Sequence, residues 1–441
     1  MTDFTLARSN SEVRFAGYGA QYNQNLFAKI SRDAGVAETT GLVKKLRLLK
    51  PQLVRVFFNG SAFTDQDLMQ SFKRTMTLAQ QTATTINVTF QGIGPRRFSD
   101  KMPQFADVLT DLVTGNDPVT GKTKIDKLNW VTIRNEPNRP AMPQDLYREL
   151  YRQLDTELRR RKVRSKIGFM GGDLLQNNQK DWFEFLAKKE MTDLLGAYSI
   201  HVYWNYWSPG KIETRLKGVH DLLEGLPAAR AIPRYVTEYG ARGIAPADGK
   251  ADPGLDEHGR PLGETNVYAF QHAWFALRAA MLGFCGAVKW DAYFSMYDTN
   301  EQGFALIGKP PEWRLQPVYQ MMRLLTTTVS VGSRIVPGNV VPGTATSGSR
   351  QLVVGFVSPA KGWTVLGLDT GGAKLETTSP EVRTYRLRGL PKSTEFQLRY
   401  WNFDGHGQIT TRGRLNADST GAVTVTAPLH SIFAIVGLQP H

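Results

Sequence analysis

Eight short apolar runs recur along the first two thirds of the chain: EVRFAGYGA (12–20), QLVRVFFNG (52–60), TTINVTFQG (84–92), LNWVTIRNEP (128–137), SKIGFMGGD (165–173), AYSIHVYWN (197–205), PRYVTEYGA (233–241) and CGAVKWDAYF (285–294). Their β-branched and aromatic content predicts buried strands. Between them lie longer stretches with apolar residues three and four positions apart, such as DLMQSFKRTMTLAQQT (67–82), QDLYRELYRQLDTELRRRK (144–162) and VYAFQHAWFALRAAML (267–282), which predict amphipathic helices. Strand alternating with helix implies a parallel sheet, and eight such units within roughly 320 residues imply a (β/α)8 TIM barrel over residues 10–328.

After the helical LQPVYQMMRLLTTTV (315–329) the pattern changes. Val, Thr, Gly and Pro dominate, and six runs (QLVVGFV, WTVLGL, EVRTYRLRG, EFQLRYWNF, AVTVTAP and SIFAIVG) are separated by turn clusters. That predicts a C-terminal all-β sandwich over 329–441, with DFTLARS in residues 1–9 read as an added edge strand.

Composition narrows the class. With 441 residues, 41% of them hydrophobic, the chain can build a sizeable core. No window approaches the ~18 apolar residues of a membrane span, and MTDFTLARSN lacks the basic-then-apolar order of a signal peptide. The expected location is the cytoplasm, or a secreted or periplasmic one if a leader has been removed. The single Cys285 excludes an internal disulfide framework and a multi-cysteine metal site; in MLGFCGAVKW it reads as a small buried filler.

The net charge of +14 divides as +5 over residues 330–441 and +9 over the rest. Its densest cluster, ELRRRKVRSK, falls at a helix end, where cations meet the negative end of the dipole, so no nucleic-acid partner is expected. Spread positive charge suits an acidic polysaccharide. Oligomeric state is left open. GNDPVTGKT places Asn116 where a phosphate loop needs Gly, GYGAQY lacks the third glycine of a dinucleotide fingerprint, and no HExxH occurs. No metal and no cofactor are therefore expected.

In a (β/α)8 barrel, active sites lie at the C-terminal ends of the strands. Those ends carry Gln21 and Asn23, Arg55 and Asn59, Gln91, Asn135 and Glu136, Asp173, then His201, Tyr203, Trp204 and Asn205, then Glu238 and Tyr239, and finally Trp290, Asp291 and Tyr293. Pro137 has no backbone N–H and restricts its predecessor, which predicts Glu136 at the last extended position of the fourth strand. Two glutamates thus end strands four and seven, across the barrel mouth from each other. Retaining glycosidases need two carboxyls about 5–5.5 Å apart, one to protonate the leaving oxygen and one to attack the anomeric carbon. A cationic neighbour would keep the nucleophile ionised, and an apolar or negative neighbourhood would hold the acid protonated. The aromatics Trp204, Tyr206, Trp207, Trp290, Tyr293, Phe294 and Tyr297 offer flat faces for sugar rings.

These motifs resemble the clan of retaining (β/α)8 glycoside hydrolases that includes the family 5 cellulases and mannanases and families 39 and 30. The resemblance implies that Glu136 in Asn135-Glu136-Pro137 is the acid/base, that Asn135 hydrogen-bonds the sugar 2-hydroxyl, and that Glu238 in YVTEYG is the nucleophile. It further implies that His201 lies near the acid/base, that Tyr203 donates to Glu238, that Arg55 steadies the nucleophile, and that Trp290 floors the sugar site. Gln91 stands where family 5 carries His, and this with the trailing sandwich favours families 39 and 30. Trp204, Gln91 and Asn59 complete the expected substrate-binding or supporting set. The resemblance implies a retaining glycoside hydrolase of poly- or oligosaccharides; the alternatives are a catalytically silent carbohydrate-binding protein and a transglycosylase.

Overall fold

The computed structural model describes residues 1–6, 13–36, 38–139, 142–176, 178–205, 209–243, 254–294, 303–345, 350–360, 362–370, 381–402 and 408–438. Strand β1 (Thr2–Leu6) precedes eight parallel strands that close into a barrel: β2 (Gly17–Tyr22), β3 (Leu53–Asn59), β4 (Thr85–Gln91), β5 (Leu128–Ile133), β6 (Gly168–Leu174), β7 (Ala197–Asn205), β8 (Arg234–Arg242) and β9 (Gly286–Lys289). The expected TIM barrel is present, and all eight apolar runs supply its strands.

Alternation along each strand sorts side chains between lumen and helices. On β7, Ser199, His201 and Tyr203 turn toward the carboxylate cluster, while Ile200, Val202 and Trp204 pack outward into the core. Two register breaks modify this order. Ile200 and His201 pair with Val236 and Glu238, so β8 carries one extra residue, Thr237; β6 breaks between Gly171 and Leu174. Bulges of this kind re-aim side chains. Here they bring Thr237 and Asp173 into contact, with Glu238 directed into the same lumen.

Strands β10 (Arg334–Val340), β11 (Gln351–Val357), β12 (Trp363–Asp369), β13 (Val382–Arg388), β14 (Glu395–Trp401), β15 (Ile409–Asn416), β16 (Val423–Pro428) and β17 (Ile432–Gly437) join β1 in a nine-stranded sheet of order β15-β14-β17-β12-β11-β10-β1-β13-β16. The sheet folds over its own apolar core, with Tyr385 on β13 packed 4.8 Å from Phe433 on β17. The edge-strand expectation for the N-terminus is corrected: β1 is hydrogen-bonded on both sides, antiparallel to β10 and parallel to β13, because Phe4 and Leu6 belong to that core.

Helix Asn266–Met281 joins the two units. It is buried on nearly every face, as a helix apolar all round must be. Core residues from the sheet, including Phe356, Leu366 and Ile432, are continuous with those of the barrel.

Candidate active site

The mouth of the barrel gathers a chain of charges around Arg55. Its guanidinium is fully buried and donates to four partners: Thr89 Oγ1 at 2.9 Å, Glu238 Oε2 at 2.7 Å, Asn135 Oδ1 at 2.7 Å and Asp173 Oδ2 at 2.5 Å. It also lies 4.4 Å from the ring of Phe57, two residues along the same strand. Asp173 accepts further hydrogen bonds from Ser199 Oγ and Thr237 Oγ1. Burial opposes its charge, but Arg55 and His201 outweigh that and hold the carboxyl far below the usual range.

The Asp173 backbone is built for this place. Gly172 has φ +124°, and a Cβ there would meet Ser199 O at 2.2 Å, so only glycine lets β6 approach β7. Asp173 itself is left-handed at φ +53°. From behind, Tyr147 accepts from Gly172 N at 2.9 Å, and Tyr151 accepts from Ile133 N and donates to Met170 O.

Glu136 departs from the expected extended backbone. It sits at φ +50°, with Arg134 at +67°, both in the left-handed region. The strand ends at Ile133, and Arg139 N bonds Glu136 O at 2.8 Å, closing a tight turn that swings the carboxyl over the lumen. Asn138 clamps that turn to the next loop through Leu175, donating to its O at 2.8 Å and accepting from its N at 3.1 Å. Strained conformations at non-glycine residues persist only where the surroundings enforce them.

His201 lies among three carboxylates: Nδ1 is 3.2 Å from Glu136 Oε1 and 3.9 Å from Glu238 Oε2, and Nε2 is 3.6 Å from Asp173 Oδ1. The last two exceed hydrogen-bond range yet act through charge. Burial would push the imidazole down, but Glu238 and Asp173 outweigh it and raise it to about 9. Glu136 responds in the opposite sense. Burial raises its carboxyl, but the hydrogen bond and charge of His201, with Arg55 and Arg139, leave it below the usual range. The expectation of a protonated Glu136 is therefore corrected for the free protein: the proton sits on His201.

The tyrosine hydroxyl of Tyr203 donates to Glu238 Oε1. Oxygens of Glu136 and Glu238 and a nitrogen of His201 all lie within 4.8 Å of one another. Among the described residues this is the one group with metal-ligand spacing. A dication fits it poorly, because Arg55 already stands 2.7 Å from Glu238 and His201 carries a proton where a ligand needs a lone pair.

Of the residues expected in the site, Glu136, Glu238, Arg55, Asn135, His201 and Tyr203 converge. Asn135 turns its oxygen to Arg55, leaving its NH2 to donate. Trp290 is half-buried and packs 6.0 Å from Phe57. Trp204 is corrected as a substrate contact. It is 1% exposed, points to the helix side of β7, stacks 5.1 Å from Phe275 and donates to Gln271 Oε1. Tyr293 is buried likewise, 5.3 Å from Tyr22. Asn59 uses its side chain to cap the turn at Ser61, and Gln91 pairs beside it without a hydrogen bond to the carboxylates. Tyr206, Trp207 and Tyr297 lie outside the described residues. Asp173 stood among the strand-end candidates without a place in the expected set, and sequence reasoning passed over Thr89, Ser199 and Thr237 altogether. The one available signal was GGD, an acid behind two glycines at a strand end.

No protein-family model and no curated protein matches the chain. Solved structures do. The catalytic domain of the GH30 xylanase C from Talaromyces cellulolyticus is similar over 99% of this chain and 100% of its own, with TM-score 0.65 and 12% identity. A family 51 α-L-arabinofuranosidase from Bifidobacterium longum covers 99% of each at TM-score 0.64 and 12% identity. A glucosidase from Croceicoccus marinus covers 100% of each at TM-score 0.63 and 11% identity. At such identity the likeness establishes the fold: a (β/α)8 barrel carrying a β-sheet domain, as found among clan A glycoside hydrolases.

Proposed function

We propose that the protein is a retaining glycoside hydrolase of poly- or oligosaccharides, with Glu238 as nucleophile and Glu136 as acid/base. The observation that carries this reading is the approach of their carboxylate oxygens to within 4.8 Å. Such spacing suits direct attack by one carboxylate; an inverting enzyme leaves about 6.5–9.5 Å for a water. The glycosidases that share the fold support it.

The surrounding residues assign the steps. Arg55 and Tyr203 grip both oxygens of Glu238 and aim the carboxylate. A sugar seated over the Glu136–His201 pair excludes water and favours the uncharged arrangement, so the proton crosses the 3.2 Å from Nδ1 to Glu136. Glu136 gives it to the leaving oxygen while Glu238 bonds the anomeric carbon. Glu136 then takes a proton from water, whose oxygen displaces Glu238.

Following the anomeric configuration of the first product by NMR tests the scheme directly. Retention is expected, and initial inversion would sink it. Glu238→Gln should lose roughly a thousand-fold or more in turnover while remaining folded. Glu136→Ala should accumulate the glycosyl-enzyme on an activated aryl glycoside, and azide should restore turnover with retained configuration.

A further inference from the structure

A cleft of about 430 Å³ adjoins the catalytic carboxylates. His201 and Tyr203, which hold Glu136 and Glu238, form part of its lining. The rest includes three arginines from three elements: Arg139 from the turn after Glu136, Arg215 from helix Pro209–Glu224, and Arg242 at the end of β8. No Asp or Glu lines the cleft among the described residues.

These arginines differ from several others in the barrel. Arg148, Arg159, Arg161, Arg164, Arg234 and Arg278 each have a carboxylate partner. Among the described residues Arg139, Arg215 and Arg242 have none. Arg215 is half-buried, and burial together with the charge of Arg242 pushes its guanidinium down. Among the described residues no carboxylate lines the cleft that these two like charges face, an arrangement that an incoming anion relieves. Arg242 also stacks 5.6 Å from the ring of Tyr203, which ties the basic wall to the residue that holds the nucleophile.

We propose that the cleft is a subsite for a carboxylate-bearing sugar next to the cleaved bond, so that the substrate class is a uronic-acid-containing glycan. This rests on the glycosidase reading above. The planar guanidinium fork matches a carboxylate in two parallel hydrogen bonds, which a neutral hydroxymethyl group cannot supply. The volume falls within the range of small-ligand pockets.

The test uses oligosaccharides from glucuronoxylan, pectate and alginate, each beside its carboxyl-reduced counterpart, with sulfated galactan fragments as a third arm. Binding is measured by calorimetry on Glu238→Gln and turnover on the wild type. At least one carboxylated chain should bind about 10-fold or more tighter than its reduced form, as charge-assisted hydrogen bonds require. Adding Arg215→Gln or Arg242→Gln should remove most of that preference, and Arg215→Lys should recover only part. Equal binding of carboxylated and reduced chains overturns the inference, as does binding of the sulfated fragments alone. Neutral and carboxylated chains hydrolysed equally well would leave the glycosidase reading standing and this one fallen. Arginine-dependent binding of carboxylated chains with no hydrolysis of any chain would do the reverse.

Discussion

Two clusters of ionisable groups are buried in the same barrel, and they end in opposite charge states. Around Arg55, Asp173 and His201 every charge has a close opposite charge, and Asp173 and His201 are shifted toward their ionised forms. Lys289 at the end of β9 and Asp291 two residues on are as deeply buried, yet burial pushes the ammonium down and the carboxyl up, each toward neutrality. Lys289 donates to the carbonyls of Trp290 and Phe304, both at 2.5 Å, and lies 4.9 Å from the ring of Tyr268. Nearby His272 is driven below its ordinary range by burial and by Lys289, and among the described residues neither its Nε2 nor Asp291 Oδ1 has a hydrogen-bond partner. The difference lies in the partners, because desolvation acts on both clusters and is reversed only where several close counter-charges surround the group. Charge is kept where the proposed chemistry uses it and suppressed beside Trp290, whose carbonyl Lys289 contacts.

The largest effect should come from breaking the first cluster at its centre. Arg55→Ala takes from buried Asp173 its nearest counter-charge, at 2.5 Å, which should cost roughly 3–5 kcal/mol in urea unfolding. In the proposed mechanism it should also lower kcat by about 100-fold or more, with a smaller change in KM, because it touches the nucleophile and not a sugar hydroxyl. A raised KM with kcat intact would contradict that role.

A second effect sharpens the contrast through pH. The imidazole of His201 is raised from 6.5 to about 9 in the folded protein. The folded state therefore binds its proton more tightly than the unfolded chain. That contribution is complete below pH 6.5 and is lost as pH rises through about 9, and its size is on the order of 3 kcal/mol. Lys289 titrates with the opposite slope, so the quantity to measure is the difference between wild type and His201→Asn. That difference should shrink across pH 6.5 to 9 in denaturant unfolding; a constant difference would show that His201 is not held protonated.

Much of this was legible in the sequence, and the failures have physical causes. Eight barrel strands stood out because buried parallel strands are continuous apolar runs. Strands β10 and β15 did not: RIVPGNV contains Pro and Gly, and ITTRGRLN is a polar, exposed edge. The two glutamates, Arg55, His201 and Tyr203 were marked by their places at strand ends. Trp204 was misjudged although alternation already set it on the face of Ile200 and Val202, opposite His201. Asp173 was undervalued because its role depends on two bulges, and one extra residue in a strand leaves no mark in the apolar pattern. The left-handed turn at Glu136 was hidden as well, since Pro137 fixes the range of its neighbour but not the contacts that force an exception.

The smallest effect belongs to the second cluster, and its sign separates the two. Asp291→Asn replaces a carboxyl that burial holds toward its neutral form with an amide of the same shape, so the change should stay within about 1 kcal/mol in acid near pH 4. Because the folded-state carboxyl is raised, its contribution is greatest in acid and is lost as pH climbs from the ordinary carboxylate range toward neutrality. The variant should therefore gain on the wild type across that interval, less whatever Lys289 loses with its counter-charge. Asp173→Asn must behave oppositely. Its carboxylate is held ionised by Arg55, and the amide would turn a donor toward the guanidinium, so the loss should reach several kcal/mol at neutral pH and diminish only in strong acid. Chemical unfolding of both variants between pH 4 and 8 compares them on one axis. Equal losses at pH 7 would mean that the two buried aspartates share one charge state, and the distinction between the clusters would fall.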